Sequence, residues 1–507
     1  MVTGPGATRR SVIGGIAATL LADQALSNEA SAQTGAAGPR PPNIIVILAD
    51  DLGYADVSAY KSDRFRTPNI DRLGSEGVRF TDGYSTAPVC CPSRAGLMTG
   101  RYQQRFGFEF NNGGAQRDLR EGLGLSTDET TIAQLLKQSG YHTGAVGKWH
   151  LGSQEQFYPM IRGFDEFVGF LPGETSYIDP RRPGVHLSFG RLGDDLLSGN
   201  SQAARTFLRH PLNQIIEGST HTIVDNGDEY LTDYFASRAS DFIQRNAGIG
   251  RPYFLYVAFN PVHAPHMVTA NYYDRFPNVT DHQLRVYAAM VASLDDAVGT
   301  IMHTVDASGQ ADNTMIYFGA DHGCAMYFPG LCSCTPLRGG KLSHYEGGVR
   351  IPLMLRWPAQ IKAGMVYREP VSLLDVLPTS VAAAGGKLPS DRTYDGVDLV
   401  TYLNEQKSGS PHDVLFWRRA PLFSVRQGDW KLWECSDTSG VYGSYKLLFN
   451  LKDDLNETTS LAESNPEKVK QLETLIQGWS KELIDPGWPT KNTVTFNLCG
   501  GTFTLPV

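Results

Sequence analysis

Long apolar runs that stop abruptly at acidic or histidine-bearing turns set the pattern of this chain. Asn43–Ala49 reads NIIVILA and ends at Asp50-Asp51-Leu52-Gly53. An unbroken β-branched run of that length predicts a strand buried on both faces, as strands of parallel sheets are. Residues 253–259 lead into Asn260-Pro261-Val262-His263 in the same way, and residues 315–320 lead into Asp321-His322-Gly323. Helical signals lie between the runs, at residues 131–137 before Gly140 and at residues 286–301. Strands alternating with helices predict an α/β fold, a parallel sheet with helices on both faces. Ligands of such sheets sit beyond the carboxyl ends of the strands, where Asp50, Asp51, His263, Asp321 and His322 all fall.

From Val414 the texture shifts to short alternating segments, residues 423–426, 430–433 and 445–451. A closing helix follows, with Asn465 as its cap, Pro466 in its first turn and one apolar face made by Val469, Leu472, Leu475, Ile476, Trp479 and Leu483. The expected division is therefore a catalytic part at 40–403, with an aperiodic insertion at 178–228, and a small antiparallel α+β domain at 413–507. Between them lies the polar stretch 404–412.

Composition narrows the function classes. Of 507 residues 41% are hydrophobic and 19% charged, which excludes disorder, collagen and coiled coil. With 45 Lys+Arg against 53 Asp+Glu the net charge is -8, so no global basic field exists and nucleic acid is not an expected partner. An anionic substrate would need local positive charge. No run of 18 apolar residues spans a membrane. Arg9-Arg10, the apolar run 12–22 and Ala30-Ser31-Ala32 read as a twin-arginine-type signal peptide over 1–32, and hence as export to a bacterial periplasm or beyond. Seven Cys in an exported chain leave one odd thiol.

The stretch Cys90-Cys91-Pro92-Ser93-Arg94-Ala95-Gly96-Leu97-Met98-Thr99-Gly100 predicts a helix started by Pro92 and Ser93 and ended by Gly100. Cys90 would then sit just before an N-terminus that favours anions. Taken with Ala49-Asp50-Asp51-Leu52-Gly53, Gly147-Lys148-Trp149-His150-Leu151-Gly152, Pro261-Val262-His263-Ala264-Pro265, Ala320-Asp321-His322-Gly323 and the segment Arg338-Gly339-Gly340-Lys341, it resembles the formylglycine-dependent sulfatases of the alkaline phosphatase superfamily. The motifs stand in family order over nearly the whole chain.

That resemblance implies a large mixed, mostly parallel sheet. It also implies that a maturation enzyme oxidises Cys90 to formylglycine, and that a cation, Ca2+ or alternatively Mg2+, is held by Asp50, Asp51, Asp321, His322 and residue 90. The hydrated aldehyde would attack the sulfur of a sulfated small molecule or glycan, with Arg94 steadying the diol. Lys148, Lys341 and His263 would neutralise the sulfuryl oxygens, His263 or Lys341 would protonate the leaving alcohol, and His150 would take the proton that restores the aldehyde. Two other readings stay open from the residues: a phosphonate monoester or phosphodiester hydrolase of the same superfamily, and a redox or Zn-binding protein using Cys90-Cys91 and Cys332-Ser333-Cys334.

Overall fold

The computed structural model describes Met1 and residues 40–60, 63–188, 213–328, 330–437, 439–490, 493–498 and 501–506. The signal-like segment, apart from Met1, the middle of the 178–228 insertion and Cys499 lie outside the described residues. Ten strands form the main sheet. In chain order they are β1 (Asn43–Ala49), β2 (Val78–Phe80), β3 (His142–Lys148), β4 (Glu166–Phe170), β5 (Ile216–Glu217), β6 (Thr222–Ile223), β7 (Tyr253–Ala258), β8 (Thr314–Ala320), β9 (Leu353–Arg356) and β10 (Met365–Tyr367), arranged β10-β2-β9-β8-β1-β7-β3-β4-β5-β6.

The central five strands, β8-β1-β7-β3-β4, run parallel, with Val46 opposite both Tyr317 and Tyr256. Antiparallel pairs flank them on both sides, which makes the sheet mixed. Every residue of β1, β7 and β8 is buried, as their unbroken apolar runs require. Each such aliphatic side chain taken from water contributes roughly 1.5–3 kcal/mol. β3 carries no comparable signal, because its sequence HTGAVGK trades side chains for close approach. A Cβ on Gly144 would lie 2.5 Å from the Phe242 ring, and one on Gly147 would lie 2.1 Å from the Ala258 carbonyl oxygen.

Five helices matter for the site and its support: α1 (Cys90–Thr99), α2 (Ile132–Gln138), α3 (Leu231–Ala247), α4 (His282–Ala307) and α5 (Pro466–Ser480). α1 starts two residues earlier than its Pro-Ser pair suggested, with Val89 at the cap and Cys90 in the first turn; Gly100 ends it in the left-handed region at φ 64°. α4 outruns the predicted 286–301 because Asp281 accepts a hydrogen bond from the Leu284 amide and starts it sooner. A capping box opens α2: Thr131 accepts from the Gln134 amide, and Gln134 accepts from the Thr131 amide.

The small sheet is β11 (Val414–Arg419), β12 (Leu422–Gln427), β13 (Trp430–Ser436) and β14 (Ser444–Asn450), antiparallel throughout and in chain order. One face packs Val425, Leu432 and Leu448 on Val469, Leu472 and Ile476 of α5. Pro466 opens α5 and Asn465 holds the N-cap position as expected, but the Asn465 side chain makes no capping hydrogen bond. Its amide instead donates to the Leu461 carbonyl and the Ser464 hydroxyl. Pro41–Val507 is one contiguous unit. Among the described residues no helix is long and apolar enough to cross a membrane.

His412, in the segment before β11, meets Asp375 at 2.8 Å with both side chains buried. Burial disfavours the imidazolium, but Asp375 outweighs it and raises the His412 pKa. A raised histidine contributes stability that is complete below its unfolded pKa of about 6.5 and lost as pH climbs through the folded value. We expect His412→Gln to lower the Tm by roughly 2 °C near pH 5.5. The deficit should shrink above pH 8 in thermal melts.

Candidate active site

Parallel strands deliver their carboxyl ends to one edge of the sheet, and the polar residues predicted there converge. Asp50 and Asp51 follow β1, Lys148 ends β3 with His150 two residues on, His263 follows β7, and Asp321 and His322 follow β8. α1 brings Cys90 to the same place. Ligand atoms of Asp50, Asp51, Cys90 and His322 lie within 4.8 Å of one another, all buried. Asp51 and His150 hold positive φ values of 61° and 57°. Such strain in non-glycine residues is found where surrounding structure imposes it, often at functional sites.

Each acid has a cation beside it. Lys148 Nζ donates to Asp50 Oδ2 at 2.5 Å, and Lys341 Nζ to Asp51 Oδ1 at 2.8 Å. Arg94 grips Asp321 Oδ2 through Nε at 3.0 Å and Nη2 at 2.9 Å, and donates to the Lys148 carbonyl at 3.1 Å. Arg94 is thus a positioning group that ties α1 to β3 and β8. Burial opposes ionisation of Asp50, yet Lys148 prevails and holds it at about 2. Burial also opposes the Cys90 thiolate, but Lys148, Lys341 and His322 pull its pKa well below the ordinary thiol value.

His322 Nε2 stands 3.2 Å from Cys90 Sγ and 3.4 Å from both Asp51 Oδ1 and Asp321 Oδ1. Its Nδ1 lies 2.8 Å from the Gly323 carbonyl, an acceptor that takes the Nδ1 proton and points Nε2 at the acids. His263 donates from Nδ1 to the Ala264 carbonyl, and its Nε2 lies 3.7 Å from Asp51 Oδ2. Burial lowers His150 to about 4, so it is a neutral base at physiological pH, beside Cys90.

The second cysteine faces elsewhere. Cys91 Sγ lies 3.1 Å from Asn111 Oδ1 and 3.8 Å from the Phe110 carbonyl, and burial raises its pKa. Cys332 forms a disulfide with Cys324, so no Cys332-Cys334 metal or redox pair exists.

The sulfatase family model matches residues 42–386. Curated relatives include N-acetylgalactosamine-6-sulfatase of Canis lupus familiaris, 32% identical over 91% of this chain and 90% of that protein, and steryl-sulfatase of Rattus norvegicus, 36% identical over 82% and 78%. This chain belongs to the sulfatase family. Among solved structures, Ps i-CgsB in complex with k-i-k-neocarrahexaose is 32% identical with a TM-score of 0.75, covering 89% of this chain and 95% of that one. The protein is accordingly a sulfuric ester hydrolase with the alkaline-phosphatase-like fold.

Sulfatases use a formylglycine and a divalent metal, and the donor set of this sulfatase fits both. Asp50 Oδ1 and Asp51 Oδ2 are buried without a hydrogen-bond partner, oriented acceptors of the kind a hard cation takes up. Burial opposes protonation of His322, yet Asp321 and Cys90 lift its pKa to about 9, so the cluster draws positive charge.

Sequence reasoning missed Gly173, which lies against the His150 ring. A Cβ there would come 2.7 Å from Cε1 and 2.8 Å from Nε2. Only the three-dimensional approach reveals it, since nothing in Pro172-Gly173-Glu174 marks a site. Gly173→Ala must displace the imidazole, and a misplacement near 1 Å costs about 10- to 100-fold. We expect a kcat loss of that size with a nearly unchanged Tm, read by steady-state kinetics beside thermal melts.

Proposed function

We propose that this sulfatase removes sulfate from a carbohydrate or aryl ester with formylglycine made from Cys90 by a maturation enzyme. Asp50, Asp51, Asp321, His322 and residue 90 would hold a Ca2+ ion, or Mg2+ in its place. The reading rests on one observation above all: ligand atoms of Asp50, Asp51, Cys90 and His322 share a buried sphere, with Asp321 at its rim. Calcium is favoured by the predominance of carboxylate oxygens, with one imidazole in a flexible coordination shell. When bound, the cation and the hydrated aldehyde supply a polarised oxygen nucleophile at neutral pH.

The chain's own residues do the rest. Three carboxylates, Asp50, Asp51 and Asp321, face three permanent cations, Arg94, Lys148 and Lys341. Adding a divalent ion leaves an excess of positive charge for a sulfate ester. Lys148, Lys341 and His263 bind sulfuryl oxygens and stabilise the charge that grows as the ester bond lengthens. His263, whose pKa Asp51 raises against the effect of burial, donates a proton to the departing alcohol, with Lys341 as the other candidate. His150, neutral and beside residue 90, accepts the proton of the second half-reaction.

The sugar-sulfate reading is supported by the relatives whose names carry a sulfated hexosamine, and by the solved structure that holds a neocarrahexaose. In this scheme residues 1–32 direct export to the periplasm, 40–403 carry catalysis, and 413–507 brace the Lys341 loop. A panel of sulfated monosaccharides, sulfated oligosaccharides, an aryl sulfate and an aryl phosphate tests it. Sulfate release should dominate, and faster turnover of the aryl phosphate would overturn the sulfate preference.

His150→Ala gives a sharper test of the half-reactions. With an aryl sulfate we expect a burst of about one equivalent of the phenol per site, followed by slow sulfate release. Equal, slow appearance of both products in stopped-flow and sulfate assays would remove His150 from the second step.

A further inference from the structure

Behind the Lys341 loop lies a second cluster of buried polar groups that the sulfatase chemistry does not use. The face of the small sheet turned away from α5 carries Arg419 and Trp417 from β11, Leu422, Ser424 and Arg426 from β12, and Lys431, Trp433 and Cys435 from β13. It packs on residues 342–350, with Tyr345 against the Trp433 ring at 4.6 Å. At one end of this interface charge is matched. Arg426 pairs with Asp82 at 2.8 Å, and Lys431 with Glu346 at 2.8 Å and Glu457 at 3.2 Å.

At the other end it is not. Arg419 is 1% exposed and, among the described residues, has no carboxylate within ion-pairing distance. Its Nη1 donates to the Leu342 carbonyl at 2.8 Å, while Nε and Nη2 have no hydrogen-bond partner. The nearby carboxylate of Glu109 is engaged by Arg418 and the Ala420 amide. Two residues beyond Leu342, His344 is fully buried with both ring nitrogens unpartnered, and its ring lies 5.8 Å from that of Trp433, whose Nε1 is likewise unpartnered. Burial, Arg419 and Lys431 all keep His344 neutral.

We propose that Arg419, His344 and Trp433 form a buried binding site for a small monovalent inorganic anion of the halide class. Arginine and the indole N–H offer donors only, and a neutral imidazole adds one N–H beside its one acceptor nitrogen, a donor-rich set that suits an acceptor-only ligand. An arginine keeps its charge, so burying it without a counter-charge is costly. Water could accept from these donors but would leave that charge uncompensated. A monovalent ion matches the single excess charge, whereas a dianion such as sulfate would overcompensate it beside the apolar cluster of Tyr345, Trp433 and Leu422. The ion would join β11 to the segment that presents Lys341, and so steady the catalytic lysine from behind.

Bromide reports such a site directly. Crystals of the metal-loaded wild type grown with bromide as the halide should show an anomalous peak against Arg419 Nε or Nη2. At constant ionic strength, exchanging chloride for gluconate should lower the wild-type Tm by about 2–4 °C and leave Arg419→Met unmoved. An anomalous map with only water at Arg419 overturns the proposal, and so does a chloride dependence that persists in Arg419→Met. Should that variant fail to fold, the wild-type map decides alone.

Discussion

Cys90→Ala is expected to abolish sulfate-ester turnover, by roughly 10^4-fold or more, while the protein stays folded. Only Cys90 of the adjacent pair faces the acids: His322 Nε2 is 3.2 Å from its sulfur, Lys148 and Lys341 act on it electrostatically, and His150 hydrogen-bonds it. Cys91 turns to Asn111 and the Phe110 carbonyl, so Cys91→Ala should keep most of the activity and lose a little stability from its buried site. Cys90→Ser separates the two halves of the reaction, because a serine O-sulfate ester has no second hydroxyl on its carbon and cannot expel sulfate by collapsing to an aldehyde. Mass spectrometry of the peptide containing both positions should find the aldehyde at 90. A fully active preparation with an intact thiol there would sink the mechanism.

Asp321→Asn should lose most of its metal and activity, whereas His322→Asn should keep both within about tenfold. Asp321 does two jobs. It stands 3.4 Å from His322 Nε2 at the metal cluster, and it receives both Arg94 donors, with neither side chain exposed. Neutralising it leaves a buried guanidinium with only the more distant Asp50, 3.8 Å away and already paired with Lys148, a loss approaching the range of about 3–5 kcal/mol. His322→Asn exchanges one neutral ligand for another, and a carbonyl oxygen suits Ca2+ or Mg2+ at least as well as imidazole. Elemental analysis of the purified variants, with their melting curves and aryl-sulfate turnover, distinguishes the outcomes. Metal retained in Asp321→Asn and lost in His322→Asn, or zinc in the native protein, would contradict the hard-cation assignment.

Local sequence sufficed wherever a residue's role depends on its immediate neighbours. Strands β1, β7 and β8 are buried on both faces, and burial on both faces is what an unbroken apolar run encodes, so their positions and the polar turns after them were legible. So was the motif series from Asp50 to Lys341, because the spacing within each turn is fixed by the backbone itself. What escaped local reading was set by partners far away in the chain. β3 is rich in glycine because Phe242 and Ala258 press on it. The Asn465 side chain, at the N-cap, turns back to Leu461 instead of bonding the first turn of α5. The C-x-P-S-R spacing singles out Cys90, and the first turn of α1 turns Cys91 away to Asn111. The hydrogen bonds of Arg94 to Asp321, 227 positions away, and to the Lys148 carbonyl have no mark in the local sequence. The unmatched charge of Arg419 and the contact of Gly173 with His150 exist only once sheets and loops have packed. Hydrophobic periodicity and turn chemistry act over a few residues and can be read in one dimension. Charge pairing and close approach depend on which distant segments meet, and that was decided by the tertiary fold.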